Sequence, residues 1–218
     1  VKKLHVLNIG YPKTSTTWLW HTLTENKIVS LHPYKENFKL FFGQSIEEYK
    51  QEYSYADITG NSCPAMLAID RYVIQQLSEI STVRVSLILR NPFEMIWSHY
   101  NRDKILTQDF ETYCYNLYDQ KWFLPYNKII TRWQSVFGNE RFKLFFYDDA
   151  KQDSVKFFKD YCNQLTIPLN DYQHINATNR TVYTESMPKL SKNLIKLINQ
   201  EIELLELTVD KNLSNWKL

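Results

Sequence analysis

Leu4-His5-Val6-Leu7-Asn8-Ile9-Gly10-Tyr11-Pro12-Lys13-Thr14-Ser15-Thr16-Thr17-Trp18-Leu19 is the stretch that decides the fold. Leu4 to Ile9 is a short apolar run and reads as a buried strand. Thr16 to Glu25 has no breaker, and its apolar residues Trp18, Leu19 and Leu23 fall at helical spacing. Gly10 to Ser15 is therefore a tight loop that delivers the chain into a helix N-terminus. Free backbone N–H groups and the positive end of the helix dipole point out of such a terminus. Thr14, Ser15, Thr16 and Thr17 add hydroxyl donors and Lys13 adds a full charge. The set describes a cradle for a phosphate-like anion. The same residues also suit plain N-capping hydroxyls beside a solvated lysine.

The spacing excludes one common phosphate loop. The nucleoside-triphosphate pattern G-x-x-x-x-G-K-[ST] ends on its lysine, whereas Lys13 stands near the start and no second glycine follows. Pro12-Lys13-Thr14-Ser15-Thr16-Thr17-Trp18-Leu19 instead resembles the 5′-phosphosulfate loop of the sulfotransferases that use 3′-phosphoadenosine 5′-phosphosulfate (PAPS), P-K-[ST/A]-G-T-T-W-L. Ser15 is the departure. The usual glycine tolerates positive φ and close backbone approach; Ser15 must do the same with a Cβ.

A second stretch lies downstream, at Val83 to Tyr100. Val83 to Leu89 reads as a central strand of a parallel sheet. Pro92 suits the first position of a helix, and Phe93, Ile96, Trp97 and Tyr100 mark its apolar face. Arg90 thus sits at a strand's C-terminal end, where ligands bind in open α/β sheets. Arg90-Asn91-Pro92, Ser98 and Tyr100 resemble the family's 3′-phosphate motif, R-N-P-x-D-x-x-x-S-x-Y, with Glu94 in place of Asp. The resemblance implies that Arg90 grips the 3′-phosphate through forked hydrogen bonds and that Ser98 adds a donor. Taken singly, Arg90 equally suits a strand-end salt bridge and Ser98 a small residue on a helix face.

Between these stretches, Lys35-Glu36-Asn37-Phe38 with the aromatics that follow resembles the K-E-x-x-F-F segment of carbohydrate sulfotransferases, whose Glu is the general base. Glu36 is the base this implies, with Lys35 beside it. His32 is the alternative, because sulfotransferases of phenols and steroids use a His in the corresponding region. A base must lie within hydrogen-bond reach of the acceptor. An exposed Lys-Glu pair on a loop is the plain alternative. Further on, His174 to Arg180 resembles the loop that closes over the nucleotide, which makes Arg180 a candidate 3′-phosphate ligand as well as a plausible solvated residue. The resemblance places Lys13, Thr14, Ser15, Thr16, Thr17, Trp18, Arg90, Ser98 and Arg180 at the cofactor, with PAPS as donor, PAP as product and no metal.

The remaining segments read as follows. Ile46 to Tyr53 is a short helix, Ala56 to Thr59 a strand, Gly60 to Pro64 a turn without a role, and Ala65 to Ile80 a helix. Asp103 to Tyr118 lacks clean periodicity and reads as a loop over the site. Asp119 to Phe137 is a helix disturbed at Pro125 and ended by Gly138-Asn139. Arg141 to Tyr147 is a strand, and Asp148-Asp149 caps a helix to about Leu165. A long connection leads to an amphipathic helix, Lys189 to Thr208, and Leu213 to Trp216 packs on the core.

With 218 residues, the chain suits one domain, residues 1–218, of α/β class. The expected architecture is three layers, a central parallel β-sheet flanked by helices, as in the P-loop-like sulfotransferase fold. A net charge of +2 is too weak to argue for nucleic acid or a membrane surface. Three widely spaced cysteines suggest neither a disulfide framework nor a zinc site, and point to a reducing, cytoplasmic setting. No run approaches a membrane span, and no leader is recognisable. The expected partner is a small-molecule or carbohydrate acceptor; oligomeric state and acceptor identity are not written in the chain. Two other classes fit the loop: a nucleotide or small-molecule kinase with a degenerate phosphate loop, and a non-catalytic nucleotide-binding module.

Overall fold

Five parallel strands form one sheet in the order β2-β3-β1-β4-β5. The structure, a computed structural model, describes residues 4–31, 36–54, 56–102, 109–119, 125–169 and 186–218. The strands are β1 (Leu4–Asn8), β2 (Ser30–Leu31), β3 (Ile58–Ser62), β4 (Val83–Leu89) and β5 (Phe142–Phe146). The helices are α1 (Thr16–Glu25), α2 (Ile46–Glu52), α3 (Arg71–Glu79), α4 (Pro92–Arg102), α5 (Phe110–Asp119), α6 (Tyr126–Arg141), α7 (Tyr147–Gln152), α8 (Ser154–Gln164) and α9 (Lys192–Val209). Short 3₁₀ turns occupy Pro64–Ala68 and Ser214–Trp216.

The alternation of side chains along a strand separates two cores. Leu7, Val83, Val85, Leu87 and Leu89 pack on one face with residues of α3, α4, α6 and α9. Val6, Ile88 and Phe145 pack on the other with Trp18, Leu19 and Leu23 of α1 and Phe157, Phe158 and Tyr161 of α8. This is the expected three-layer α/β arrangement. Covered on both faces, β4 is buried at every position but Arg84, which is why its sequence reads as a near-continuous apolar run. Asn91 accepts the Phe93 amide at 2.9 Å and starts α4 with Pro92 in its first turn.

Several boundaries differ from the sequence reading. The strand read at Ala56–Thr59 lies at Ile58–Ser62, through the residues read as a turn. Gly60 and Asn61 have poor strand propensity, but each pairs in register with β1, opposite Val6 and Leu7; pairing overrides propensity there. The helix read over Ala65–Ile80 is split. Pro64 opens a 3₁₀ turn, Ile69 is extended, and Asp70 caps α3 by accepting the Tyr72 amide at 2.7 Å. Part of the stretch read as a loop over the site is α5, capped by Asp109 on Thr112 N at 3.0 Å. Its inward face is Phe110, Tyr113, Cys114 and Leu117, obscured in the sequence by Tyr115, an aromatic exposed on its other side. Helix α6 begins only after Pro125, and Gly138 interrupts it with φ 65°. Asp153, not the Asp148-Asp149 pair, caps α8, through Lys156 N at 2.9 Å. Asp148 instead accepts the Trp216 indole N–H at 2.6 Å, and Trp216 and Leu213 are buried as expected.

The three cysteines are free and buried. Burial pushes the thiols of Cys114 and Cys162 up to about 12, which leaves them unreactive. Among the described residues no helix is long and apolar enough to cross a membrane.

Candidate functional site

Gly10 to Ser15 forms its loop by close internal approach. A Cβ on Gly10 would lie 2.8 Å from Thr14 Oγ1 and 3.3 Å from Asn8 Oδ1, so only glycine fits. Thr14 Oγ1 donates to the Tyr11 carbonyl at 2.7 Å and the side chain is fully buried. Thr14 therefore closes the loop from inside. Lys13 and Ser15 both hold left-handed backbone, with φ 69° and 66°. Each costs roughly 1–2 kcal/mol in a residue with a Cβ. Such strain gathers at ligand-binding turns, where alternating backbone hand turns successive N–H groups into an anion-binding concavity.

Ser15 is the N-cap of α1, yet its side chain makes no capping hydrogen bond, and the first turn holds no acidic residue. The hydroxyl and the helix dipole are thus not neutralised by capping chemistry within the first turn. Thr17 is half-buried and Thr16 buried. Trp18 is 7% exposed and packs on Phe157 and Phe158 at 6.1 and 6.3 Å between ring centroids. Its ring is mostly committed to the core.

Arg90 joins this loop to the neighbouring strand ends. Its Nη1 donates to the Lys13 carbonyl at 2.8 Å, and its Nε and Nη2 donate to Glu94 Oε2 at 3.3 Å. The guanidinium lies over the Tyr147 ring, 4.4 Å from its centroid. The Tyr126 hydroxyl donates to the Arg90 carbonyl at 2.7 Å, and burial holds that phenol protonated well above its usual range. Glu94 also meets Lys151 at 3.3 Å. The ends of β1, β4 and β5 thus converge on a buried, oriented guanidinium. Ser98 lies on the buried side of α4.

Glu36 is half-buried and precedes Asn37, which is held against the end of β3. Asn37 N donates to Asn61 Oδ1 at 3.2 Å, and Asn61 Nδ2 donates to the Asn37 carbonyl at 3.3 Å. Asn61 pairs with Leu7, and Ser62 with Asn8, two residues before Gly10. The segment carrying Glu36 is therefore fastened at the same edge of the sheet as the Lys13 loop. Beside it, Lys39, Phe42, Gln44, Glu48, Gln51 and Glu52 line an open groove. His32 and Lys35, and Arg180, lie outside the described residues. Among the described residues, no group of three or more His, Cys, Asp or Glu side chains could hold a metal ion.

No protein-family model matches the chain, and no curated protein does. Solved structures do match. A sulfotransferase from Alicyclobacillus acidocaldarius superposes with a TM-score of 0.72 over 99% of each chain, at 18% identity. This chain has the sulfotransferase fold. The sulfotransferase domain of the Synechococcus PCC 7002 olefin synthase matches with a TM-score of 0.57 over 92% of this chain and 95% of that one, at 15% identity. Mouse sulfotransferase SULT7A1, solved with PAP, matches with 0.53 over 78% of this chain and 62% of that one, at 18% identity.

Within this sulfotransferase fold, the strand-end positions contain residues that the sequence reading passed over. Asn61 reads in the sequence as part of a turn, yet it is 3% exposed and its side chain grips the Glu36 segment. Tyr126 and Tyr147 frame Arg90 from α6 and from the start of α7. The available signal was position: an amide in the last residues of a strand, and a tyrosine directly after one.

Proposed function

We propose that the protein is a PAPS-dependent sulfotransferase acting on a hydroxyl or amine of a small-molecule or carbohydrate acceptor. The observation that carries this reading is the 2.8 Å hydrogen bond from Arg90 to the Lys13 carbonyl. It brings two anion-binding motifs, distant in sequence, to one edge of the sheet. One nucleotide with phosphates at both its 5′ and 3′ positions suits such a pair.

The residues present fit that donor. The left-handed turn at Lys13 and Ser15, the start of α1 and the hydroxyls of Ser15, Thr16 and Thr17 suit the 5′-phosphosulfate, with Thr14 shaping the loop beneath them. Arg90 and Ser98 suit the 3′-phosphate, with Arg180 as a further ligand and Trp18 contributing by its place in the first turn of α1, its ring being packed in the core. PAPS supplies an activated sulfuryl group, and PAP is what leaves. Transfer of this kind relies on positioning and on stabilising charge, as in phosphoryl transfer. Lys13 opposes the negative charge that builds on the leaving phosphate. Glu36 takes the proton of the acceptor hydroxyl or amine, with His32 as the rival for that role. The fastened Asn37 keeps Glu36 at the edge where the acceptor must arrive.

The test is an acceptor screen with PAPS, using 2-naphthol, 1-butanol and glucosamine, scored by PAP release and product mass. Sulfated product from at least one acceptor supports the reading. Turnover of ATP with Mg²⁺ and indifference to a 3′-phosphate would replace it with a kinase. PAP binding without transfer to any acceptor would replace it with a binding module.

A further inference from the structure

We infer that Asn61 is a positioning residue that holds Glu36 in place. This rests on the reading of Glu36 as the base. Asn61 lies in β3 with its side chain turned to the 36–38 segment, and both Asn61 and Asn37 are 3% exposed. Its amide meets Asn37 as a strand partner would: Oδ1 takes the Asn37 N–H at 3.2 Å and Nδ2 gives to the Asn37 carbonyl at 3.3 Å. The first of these bonds holds the peptide plane that joins Glu36 to Asn37. Fixing that plane fixes where the Glu36 Cα sits, and so the point from which its side chain leaves the backbone.

The other side of Asn37 is fixed as well. Its Nδ2 donates to Glu52 Oε2 at 2.9 Å and to the Tyr53 hydroxyl at 3.2 Å, and its Oδ1 accepts Lys39 N at 3.0 Å. Glu52 Oε1 is held in turn by Gln44 Nε2 at 2.8 Å and by Lys39. Every polar group of Asn37 is therefore engaged, by the sheet on one side and by α2 and its flanks on the other. That set ends one residue from the base. Asn61 is the member that belongs to the sheet. Because β3 pairs with β1 at Leu7 and Asn8, Asn61 references Glu36 to the strand that carries the phosphate loop. A base displaced by about 1 Å loses on the order of a hundredfold in rate.

The experiment compares N61A, E36Q and the double variant E36Q/N61A in full-length protein, with PAPS and the best acceptor of the three-member screen. The expected results are a kcat for N61A lowered about ten- to a hundredfold, unchanged PAP affinity by calorimetry, and a double variant no slower than E36Q alone. That last equality is the signature of acting through Glu36, since independent losses would multiply. Losses that multiply, or N61A at wild-type kcat while E36Q is impaired, overturn the positioning role and leave the base reading standing. E36Q at wild-type kcat, or no turnover of any acceptor, overturns the base reading and this inference with it. N61D provides the second variant should N61A not fold. It retains the acceptor for Asn37 N–H and sets a carboxylate against the Asn37 carbonyl. It is expected to lose kcat with PAP affinity retained, and wild-type kcat in a folded N61D would count against the inference.

Discussion

Replacing Arg90 with alanine should separate the two ends of the proposed nucleotide. Arg90 is 8% exposed, and its guanidinium is already oriented by the Lys13 carbonyl, Glu94 and the Tyr147 ring. It therefore loses little freedom on meeting a ligand. Two charge-assisted hydrogen bonds to a 3′-phosphate, at about 1.5 kcal/mol each, sum to about 3 kcal/mol. That corresponds to about a hundredfold in Kd. Removing the bond to the Lys13 carbonyl costs a further ~1 kcal/mol of stability. The pair with Glu94 adds little, because that carboxylate is 41% exposed. Calorimetry at a temperature where both proteins are folded should show R90A weakened about a hundredfold for PAP. AMP, which lacks the 3′-phosphate, should change by less than about threefold. Arg90→Lys keeps the charge but not the fork, and should fall between them. Equal weakening of PAP and AMP would refute the assignment, since a collapsed loop predicts it and a lost 3′-phosphate ligand does not.

Glu94→Gln should tighten PAP binding several-fold at low salt, because it removes a carboxylate that competes with phosphate for Arg90 and Lys151; weaker binding would give Glu94 an organising role instead. Lys13→Ala should cut kcat by at least about a hundredfold, as loss of a charge aimed at the leaving group does elsewhere, and wild-type turnover would remove Lys13 from the chemistry. Ser15→Gly should raise stability by about 0.5–1 kcal/mol, the relief of left-handed strain less the added chain entropy. Thermal unfolding reads this, and a lower Tm would contradict it. Burial lowers His5 to about 3, where its neutral ring bonds Thr59 and Tyr49 at 2.8 Å. The folded value is depressed, so the unfolded chain binds the extra proton between pH 6.5 and 3, and stability falls as pH falls through that window. Urea unfolding at pH 5 should show about 2 kcal/mol less stability than at pH 7. A His5→Gln variant that keeps this full slope would assign it to other groups.

The two halves of the site differ in how plainly the sequence announces them. β1 with its loop, and β4 with α4, are legible because a strand buried on both faces must be apolar throughout and must end at a capping residue or proline. Ser15 also showed itself: a position that asks for positive φ has φ 66°. The acceptor side is harder to read, because long-range pairing builds it rather than local propensity. Gly60 and Asn61 resemble a turn until β1 pairs with them, and the amide that grips Asn37 acts across 24 residues. The inward face of α5 is obscured for a similar reason. Tyr115 is exposed on the opposite side of a helix whose Tyr113 is buried, so aromatic content does not reveal which side faces in. Helices α7 and α8 read as one because Asp148 and Asp149 are good caps by type, while the turn is made by Asp153.

The central claim is that the ends of β1 and β4 grip one adenosine carrying phosphates at both positions. Titration of the wild-type protein with PAP and with AMP, side by side in one buffer, tests it most directly. PAP should bind at least about tenfold more tightly, the worth of one charge-assisted hydrogen bond to the extra phosphate. Equal affinity for the two nucleotides would contradict the claim.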